Sequence, residues 1–307
     1  MGKPTIHSAG YVSRRAFLAA SAACLADLTA NAQEDLRVID IHQHASYSGR
    51  SDDELVAHQR KMGVTKTVLL PAGHKTTPGL TVGPTEACIR IARNHPKEFV
   101  YFGNELPDIP ETRGTLEKYL KTGALGIGEQ KFHVDCDSSH MELVAGIARA
   151  HRVPVLMHFQ HEAFNLHIER FSKMLDKFPQ VNFIGHAQTW WANIDRNCDQ
   201  VTMYPKTKVT PGGITDRLLS DYPNMYGDLS AGSGLNSMLR DEDHARDFLK
   251  RHQDKLMFGS DCTDTLGEGD KCLGAQILAA VRRLAPDPKV QRKIFHQNAM
   301  RIIKVKW

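Results

Sequence analysis

The chain has 307 residues, 41% of them hydrophobic and 24% charged, which reads as a globular protein and excludes a disordered tail, a collagen-like fibre and a small disulfide scaffold. Basic residues number 39 and acidic ones 35, a formal charge of +4, too balanced to argue for a nucleic-acid partner. No run of about 18 apolar residues occurs, so no membrane span is expected.

Residues 1–32 read as an address rather than as part of the fold. Ser13-Arg14-Arg15-Ala16-Phe17-Leu18 resembles the twin-arginine export signal of bacteria, the apolar stretch Ala16 to Ala26 follows, and Ala30-Asn31-Ala32 offers the small-x-small pattern a signal peptidase reads. Ala19 stands where that signal often has Lys, and Asp27 interrupts the apolar stretch; the plain alternative is an amphipathic N-terminal helix. Export implies a periplasmic or secreted protein that crosses the membrane folded, often with a metal in place. The later cysteines, Cys88, Cys136, Cys198, Cys262 and Cys272, are odd in number and widely spaced, which argues against a full disulfide framework and leaves room for one or two bridges. No CxxC occurs, so no thiolate zinc site is expected.

From residue 33 to 307 a single domain is expected. Short apolar runs recur at Val38–His42, Val64–Pro71, Phe99–Glu105, Ala124–Lys131, Val153–Gln160, Val181–Gln188, Asn224–Ser230 and Leu256–Asp261. They are apolar throughout rather than alternating, as suits parallel strands covered on both faces. Helical stretches lie between them. Ser51-Asp52-Asp53-Glu54 and Ser139-His140-Met141-Glu142 have capping-box spacing, Gly63 and Gly123 are placed to end helices, and Ala163–Phe178 and His244–His252 carry helical apolar spacing. Eight strand–helix repeats are the arithmetic of an α/β (β/α)8 TIM barrel. A doubly wound sheet is the alternative, but its glycine-rich first turn is absent: the sequence there is Ile41-His42-Gln43-His44-Ala45. The longest connection, Thr189 to Tyr222, is a candidate functional loop.

The chemistry gathers where the runs stop. The first ends His42-Gln43-His44, two imidazoles on one side of a strand. The fourth ends Glu129-Gln130-Lys131, the fifth at His158, the sixth at His186 and the eighth at Asp261. Each stop is a potential metal ligand at the end of the barrel where sites are built.

In that order, HxH, His, His and Asp resemble the amidohydrolase superfamily, in its amidohydrolase-related branch of metal-dependent hydrolases and nonoxidative decarboxylases. The resemblance spans Val38 to about Val305 and includes Asn298-Ala299-Met300-Arg301 near the end. It implies that His42, His44, His158 and Asp261 bind a first divalent metal, zinc foremost, with manganese or iron as alternatives. His186 then either binds a second metal or polarises the substrate. Glu129, or Lys131 after carboxylation, bridges two metals in binuclear members; the alternative for Glu129 is to orient a single metal. The implied mechanism is attack by a metal-activated water, with Asp261 carrying its proton to the leaving group.

Other residues carry weaker readings. Lys131, His133, His161 and Trp190 are candidates for the substrate pocket, His74 a lesser one. A solvated loop is the alternative for His161, and packing of the long loop the alternative for Trp190 and Trp191. Asp228 ends the seventh run and reads as an orienter of a ligand. His58, His151, His167 and His252 read as surface residues of helices. Three function classes follow: a metal-dependent hydrolase of an ester, lactone, amide or phosphoester; a metal-dependent decarboxylase; and a noncatalytic secreted barrel that binds a metal or ligand. The expected partner is a small-molecule substrate, with one or two divalent metals per chain.

Overall fold

Eight short parallel strands alternate with helices: β1 Ile39–Gln43, β2 Lys66–Leu69, β3 Phe99–Tyr101, β4 Ile127–Gln130, β5 Val155–His158, β6 Phe183–His186, β7 Met225–Asp228 and β8 Leu256–Met257. They come from a computed structural model that describes residues 37–72 and 83–306. The export segment at residues 1–32 and His74 lie outside the described residues. β1 to β3 and β4 to β8 pair in sequence order. Gly103 bridges to Ile127, and Ile41 N–H donates to Phe258 O at 3.0 Å, so the ring closes at both junctions into a TIM barrel. Among the described residues no helix is long and apolar enough to cross a membrane.

Side-chain alternation divides the core. Leu156, Ile184, Tyr226 and Met257 point inward and pack with Ile39, Ile41, Val68, Leu70 and Phe102. Their neighbours Val155, Met157, Phe183, Met225, Leu256 and Phe258 point outward and pack against the helices. Two residues beyond the inward Leu156, Ile184 and Tyr226 come His158, His186 and Asp228. The apolar filling of the barrel thus sets which polar side chains reach its mouth.

The strands are shorter than the apolar runs, because the ends of the runs leave the ladder. Asp261 N–H donates to His42 O at 2.8 Å, and β1 carries a register shift between Asp40 and Gln43. The buried Asp40 carboxylate stitches this corner: it accepts from His42 N (3.0 Å), Ser260 N (2.9 Å), Ser260 Oγ (2.5 Å) and Gln59 Nε2 (3.1 Å).

The main helices are α1 Asp52–Lys61, α2 Thr85–Asn94, α3 Thr112–Lys121, α4 Ser139–His151, α5 Ser172–Lys177, α6 Gln188–Ala192, α7 Ile214–Asp221, α8 Ala231–Leu239, α9 Glu242–Arg251 and α10 Leu273–Leu284, followed by α11 Pro288–Arg292 and α12 Asn298–Ile302. Ser51 and Glu54 form the complete capping box of α1, and Gly63 and Gly123 take positive φ just past α1 and α3. The cap of α4 falls one residue earlier than its spacing predicts. Ser138, extended at ψ 161°, accepts from Met141 N, and Glu142 pairs instead with Lys177 at 2.5 Å. The expected helix over Ala163–Phe178 shortens to a 3-10 turn at Ile168–Arg170 and α5. Asn165 and His167 hold positive φ there, and the buried Asn165 amide donates to Gln130 O (2.6 Å) and His158 O (2.8 Å). The long connection is partly helical: α6 opens it and α7 closes it.

Two histidines expected at the surface are buried. His58 lies on the stripe of α1 that also buries Leu55, Gln59 and Met62, the 3–4 spacing of an inward face. His252 sits just past α9, its Nε2 2.7 Å from Asp216 Oδ1, which also receives Arg251 Nη1 at 2.7 Å. Burial opposes ionisation of Asp216, but His252 and Arg251 outweigh it and hold the carboxyl below its usual range. A carboxylate depressed in the folded state stabilises the protein above its unfolded pKa, about 3.9 for Asp, and loses that contribution as the pH falls below it. Asp216→Asn is therefore expected to cost about 2 kcal/mol at pH 7, with the gap to wild type closing as urea melts move from pH 5 toward pH 3. A gap independent of pH would assign the loss to packing.

Candidate metal centre at the barrel mouth

β1, β4, β5, β6 and the segment after β8 bring His42, His44, Glu129, His158, His186 and Asp261 together. They form two adjacent groups, each with its ligand atoms within 4.8 Å of one another: His42, His44 and Asp261, and Glu129, His158 and His186. His158 thus stands with Glu129 and His186 rather than beside His42 and His44. Five of the six are buried and Asp261 is nearly so.

Hydrogen bonds orient the imidazoles. His42 Nδ1 donates to Asp228 Oδ2 at 2.6 Å, and His44 Nδ1 donates to Leu70 O at 2.6 Å. Both Nε2 atoms are thereby left as lone-pair acceptors, yet they face each other at 3.2 Å. Glu129 Oε2 lies 3.7 Å from His42 Nε2 and 3.5 Å from His44 Nε2. Asp261 Oδ1 lies 3.8 and 3.3 Å from the same two atoms. With both imidazoles in these neutral tautomers, two nitrogen lone pairs and two carboxylate oxygens converge, and Glu129 Oε2 and Asp261 Oδ1 are buried without a hydrogen bond among the described residues. Buried acceptors in that state are costly without a cation. The nitrogen and oxygen donor set fits a divalent ion.

The second group repeats the pattern. His158 Nε2 meets Gln160 Oε1 at 3.2 Å, which turns its Nδ1 toward the contacting Glu129 Oε1. Ser230 Oγ donates to Asp228 Oδ2 (2.8 Å) and accepts from His186 Nδ1 (3.0 Å), leaving His186 Nε2 facing Glu129 Oε1 at 3.8 Å and Asp261 Oδ2 at 3.5 Å. Glu129 thus offers one oxygen to each group.

The charges follow from these neighbours. Burial opposes ionisation of Glu129, but Lys131 and His158 hold its carboxyl well below the usual range. Asp261 is likewise held down, against burial, by His42, His186 and His44. Burial pulls His42 down, but Asp261 and Asp228 lift it well above its ordinary value, the response of an imidazole to the anionic oxygens crowded around it. Burial pushes His158 down to about 4, so it presents a lone pair at neutral pH.

Close approach also requires a missing side chain. A Cβ on Gly259 would stand 2.4 Å from Asp228 Oδ1 and 2.9 Å from both His42 Cβ and Ser230 Cβ. Gly259→Ala is expected to cost about 1–3 kcal/mol and to lower turnover by about 100-fold through displacement of His42. Denaturant midpoints and turnover read the two effects, and wild-type values for both would show that the Asp228–His42 pair tolerates a shift.

The weaker candidates separate. Lys131 is half-buried, its Nζ 5.7 Å from the Phe164 ring, and its charge helps to depress Glu129. His161 lines a cavity of 390 Å³ beside β5 with Gln160, Thr189 and Gln200. His133 is exposed and bonds to Ala163 O at 3.0 Å. Trp190 is no pocket wall: it is fully buried, stacked on Phe159 and packed on Gly185, and it anchors α6 in the core. Sequence reading missed Tyr47, whose ring stands edge-on to His44 with centroids 4.9 Å apart. Asp261, with burial second, raises the Tyr47 phenol above its usual range, so it stays protonated beside that carboxylate. It also missed Ser230 and Asn104; Asn104 Nδ2 holds Glu129 O at 2.6 Å. Ser230, two residues beyond Asp228 on an alternating run, was open to discovery from the sequence; Asn104 was not, because its partners come from other strands.

The amidohydrolase family model matches residues 39–305. The fold is similar to that of a probable 2-pyrone-4,6-dicarboxylic acid hydrolase from Acinetobacter baumannii with bound citric acid, at TM-score 0.61 and 12% identity over 88% of this chain and 99% of that one. It is also similar to an amidohydrolase from Burkholderia multivorans with bound zinc, at TM-score 0.62 and 13% identity over 88% and 99%. A 2,6-dihydroxybenzoate decarboxylase from Rhizobium aligns at TM-score 0.52 and 14% identity over 87% and 98%. No curated protein matches the chain.

Proposed function

Because the chain belongs to the amidohydrolase family, we propose that it is a metal-dependent hydrolase that uses an activated water to split an ester, lactone, amide or phosphoester of a small molecule. One observation carries the choice of hydrolysis: Glu129 points one oxygen at His42 and His44 and the other at His158 and His186. A carboxylate so placed would hold two cations side by side, and paired cations serve the activation and clamping of water.

In this reading His42, His44, Asp261 and Glu129 would hold one divalent ion, and Glu129, His158 and His186 would hold the second. Zinc is the first choice, with manganese or iron as alternatives. Bound there, the cations supply Lewis acidity toward the substrate's oxygen and toward water. Asp228 keeps His42 in the tautomer whose Nε2 is free, and Ser230 does the same for His186. Asp261, ionised and facing both groups, accepts the proton of the attacking water at Oδ2 and delivers it to the leaving group. Lys131 and His161, at the rim, would contact the substrate. The export reading of residues 1–32 places this activity in the periplasm or outside the cell.

A panel of carboxylic esters, lactones including a 2-pyrone dicarboxylate, amides and phosphoesters, run beside hydroxybenzoates with carbon dioxide release as the readout, tests the proposal. Turnover of a hydrolysable member that stops with chelator and returns with zinc supports it. Carbon dioxide release without hydrolysis would move the chain to the decarboxylases.

A further inference from the structure

A second cluster of metal-ligating side chains lies outside the barrel mouth. His58 of α1 meets Cys262 and Asp264, from the segment after β8, and Cys272, the N-cap of α10; their ligand atoms all lie within 4.8 Å of one another. His58 Nε2 is 3.4 Å from Cys262 Sγ, 3.5 Å from Cys272 Sγ and 3.4 Å from Asp264 Oδ2. Zinc bonds of about 2.3 Å to sulfur and about 2.0–2.1 Å to nitrogen or oxygen, at a tetrahedral angle, put sulfur about 3.6 Å and oxygen about 3.4 Å from the nitrogen. The three separations match those edges.

Hydrogen bonding alone accounts poorly for the arrangement. One lone pair on Nε2 can accept from a single thiol; the Cys272 thiol has the weak acceptor Met62 Sδ at 3.9 Å as its other partner, which leaves the equal approach of both sulfurs to Nε2 unexplained. Asp264 Oδ2 is buried and makes no hydrogen bond among the described residues. The surroundings hold the four groups in place. Asp264 Oδ1 accepts from Leu266 N (3.0 Å) and Gly267 N (3.1 Å). Arg50 Nη1 donates to Asp264 O at 2.8 Å, and Gln43 Nε2 donates to Cys262 O at 3.2 Å. Gly267 crosses α1 so closely that a Cβ there would stand 2.4 Å from His58 O. His58, Cys262 and Cys272 are buried and the cysteines are free thiols.

We infer that His58, Cys262, Asp264 and Cys272 form a closed, structural zinc site, separate from the centre at the barrel mouth. Four protein ligands leave no position for substrate, as structural zinc sites require. The site ties the segment that begins at Asp261 to α1, and so fixes the carboxylate the hydrolysis depends on. Cys262 and Cys272 lie in one segment but without CxxC spacing, and His58 joins them from the other end of the chain.

Cobalt distinguishes this site from the other, because only thiolate ligands give an intense sulfur-to-cobalt charge-transfer band in the near ultraviolet. The full-length protein, stripped of metal under reducing conditions and titrated with Co2+, is expected to develop that band at one equivalent per chain. Cys262→Ser and Cys272→Ser should each abolish or shift it and lower the zinc content by one per chain, while Glu129→Gln leaves it intact. Where the serine variants do not fold, alkylation of the wild type decides: zinc should slow modification of Cys262 and Cys272 by at least about tenfold, and chelator should restore it. Absence of the band, alkylation indifferent to zinc, or a Cys262–Cys272 disulfide in the freshly purified protein would overturn the assignment.

Discussion

Asp261→Asn is expected to lower turnover by about 10²- to 10⁴-fold, the usual worth of a positioned proton carrier, while the barrel stays folded. The substitution keeps the shape of the side chain and its oxygen but removes the charge that His42, His44 and His186 hold in place. Asp261 Oδ1 is buried without a hydrogen-bond donor, and Oδ2 lies 3.5 Å from His186 Nε2. Those positions suit an atom that takes a proton between the two ligand groups, and a carboxamide cannot do so. The measurement is kcat on whichever panel member is hydrolysed, with metal content determined on the same sample. Near-normal turnover with metal retained would remove Asp261 from that role and leave it as a ligand alone.

Glu129→Gln tests the other half of the site and separates the cation's contribution from that of the side chain's own neighbours. With metal, the variant should bind at least about 100-fold more weakly than wild type, since even residues that only orient ligands are worth about 10–100-fold, and hydrolysis should fall with it. Without metal the gap should narrow but keep its sign. The wild-type carboxylate then has one oxygen unpaired, while Lys131 and His158 still favour its ionised form, so its removal costs less than with the cation bound but is not free. Binding to the folded state alone stabilises the metal-loaded wild type. Thermal melts of both proteins, with zinc and with chelator, read the two gaps. A gap as large with chelator as with zinc would make Glu129 a structural partner of His158 instead of a cation ligand.

Residue pattern alone announced the barrel, because strands buried on both faces must be apolar throughout, and eight such runs admit few folds. It also named His42, His44, Glu129, His158, His186 and Asp261, since each ends a run, and the structure gathers all six. The sequence did not divide them into two groups. That division depends on Glu129 reaching across from β4 and on Asp228 and Ser230 turning His42 and His186, contacts between residues far apart in the chain. The sequence leaves Trp190 open between pocket wall and loop packing, and misplaces His252, for the same reason: a loop position or a helix end does not say which neighbour will cover it.

The sequence by itself determined the eight strand segments and the chemical types at the barrel mouth, both consequences of where apolar runs begin and end. Only the tertiary structure decided which imidazole nitrogen is free, which carboxylate oxygens lack a donor, and that His58 meets Cys262, Asp264 and Cys272. Those properties depend on distances between chain segments some 200 residues apart, which a one-dimensional pattern does not encode; they arise when the ring closes and the last strand packs against the first.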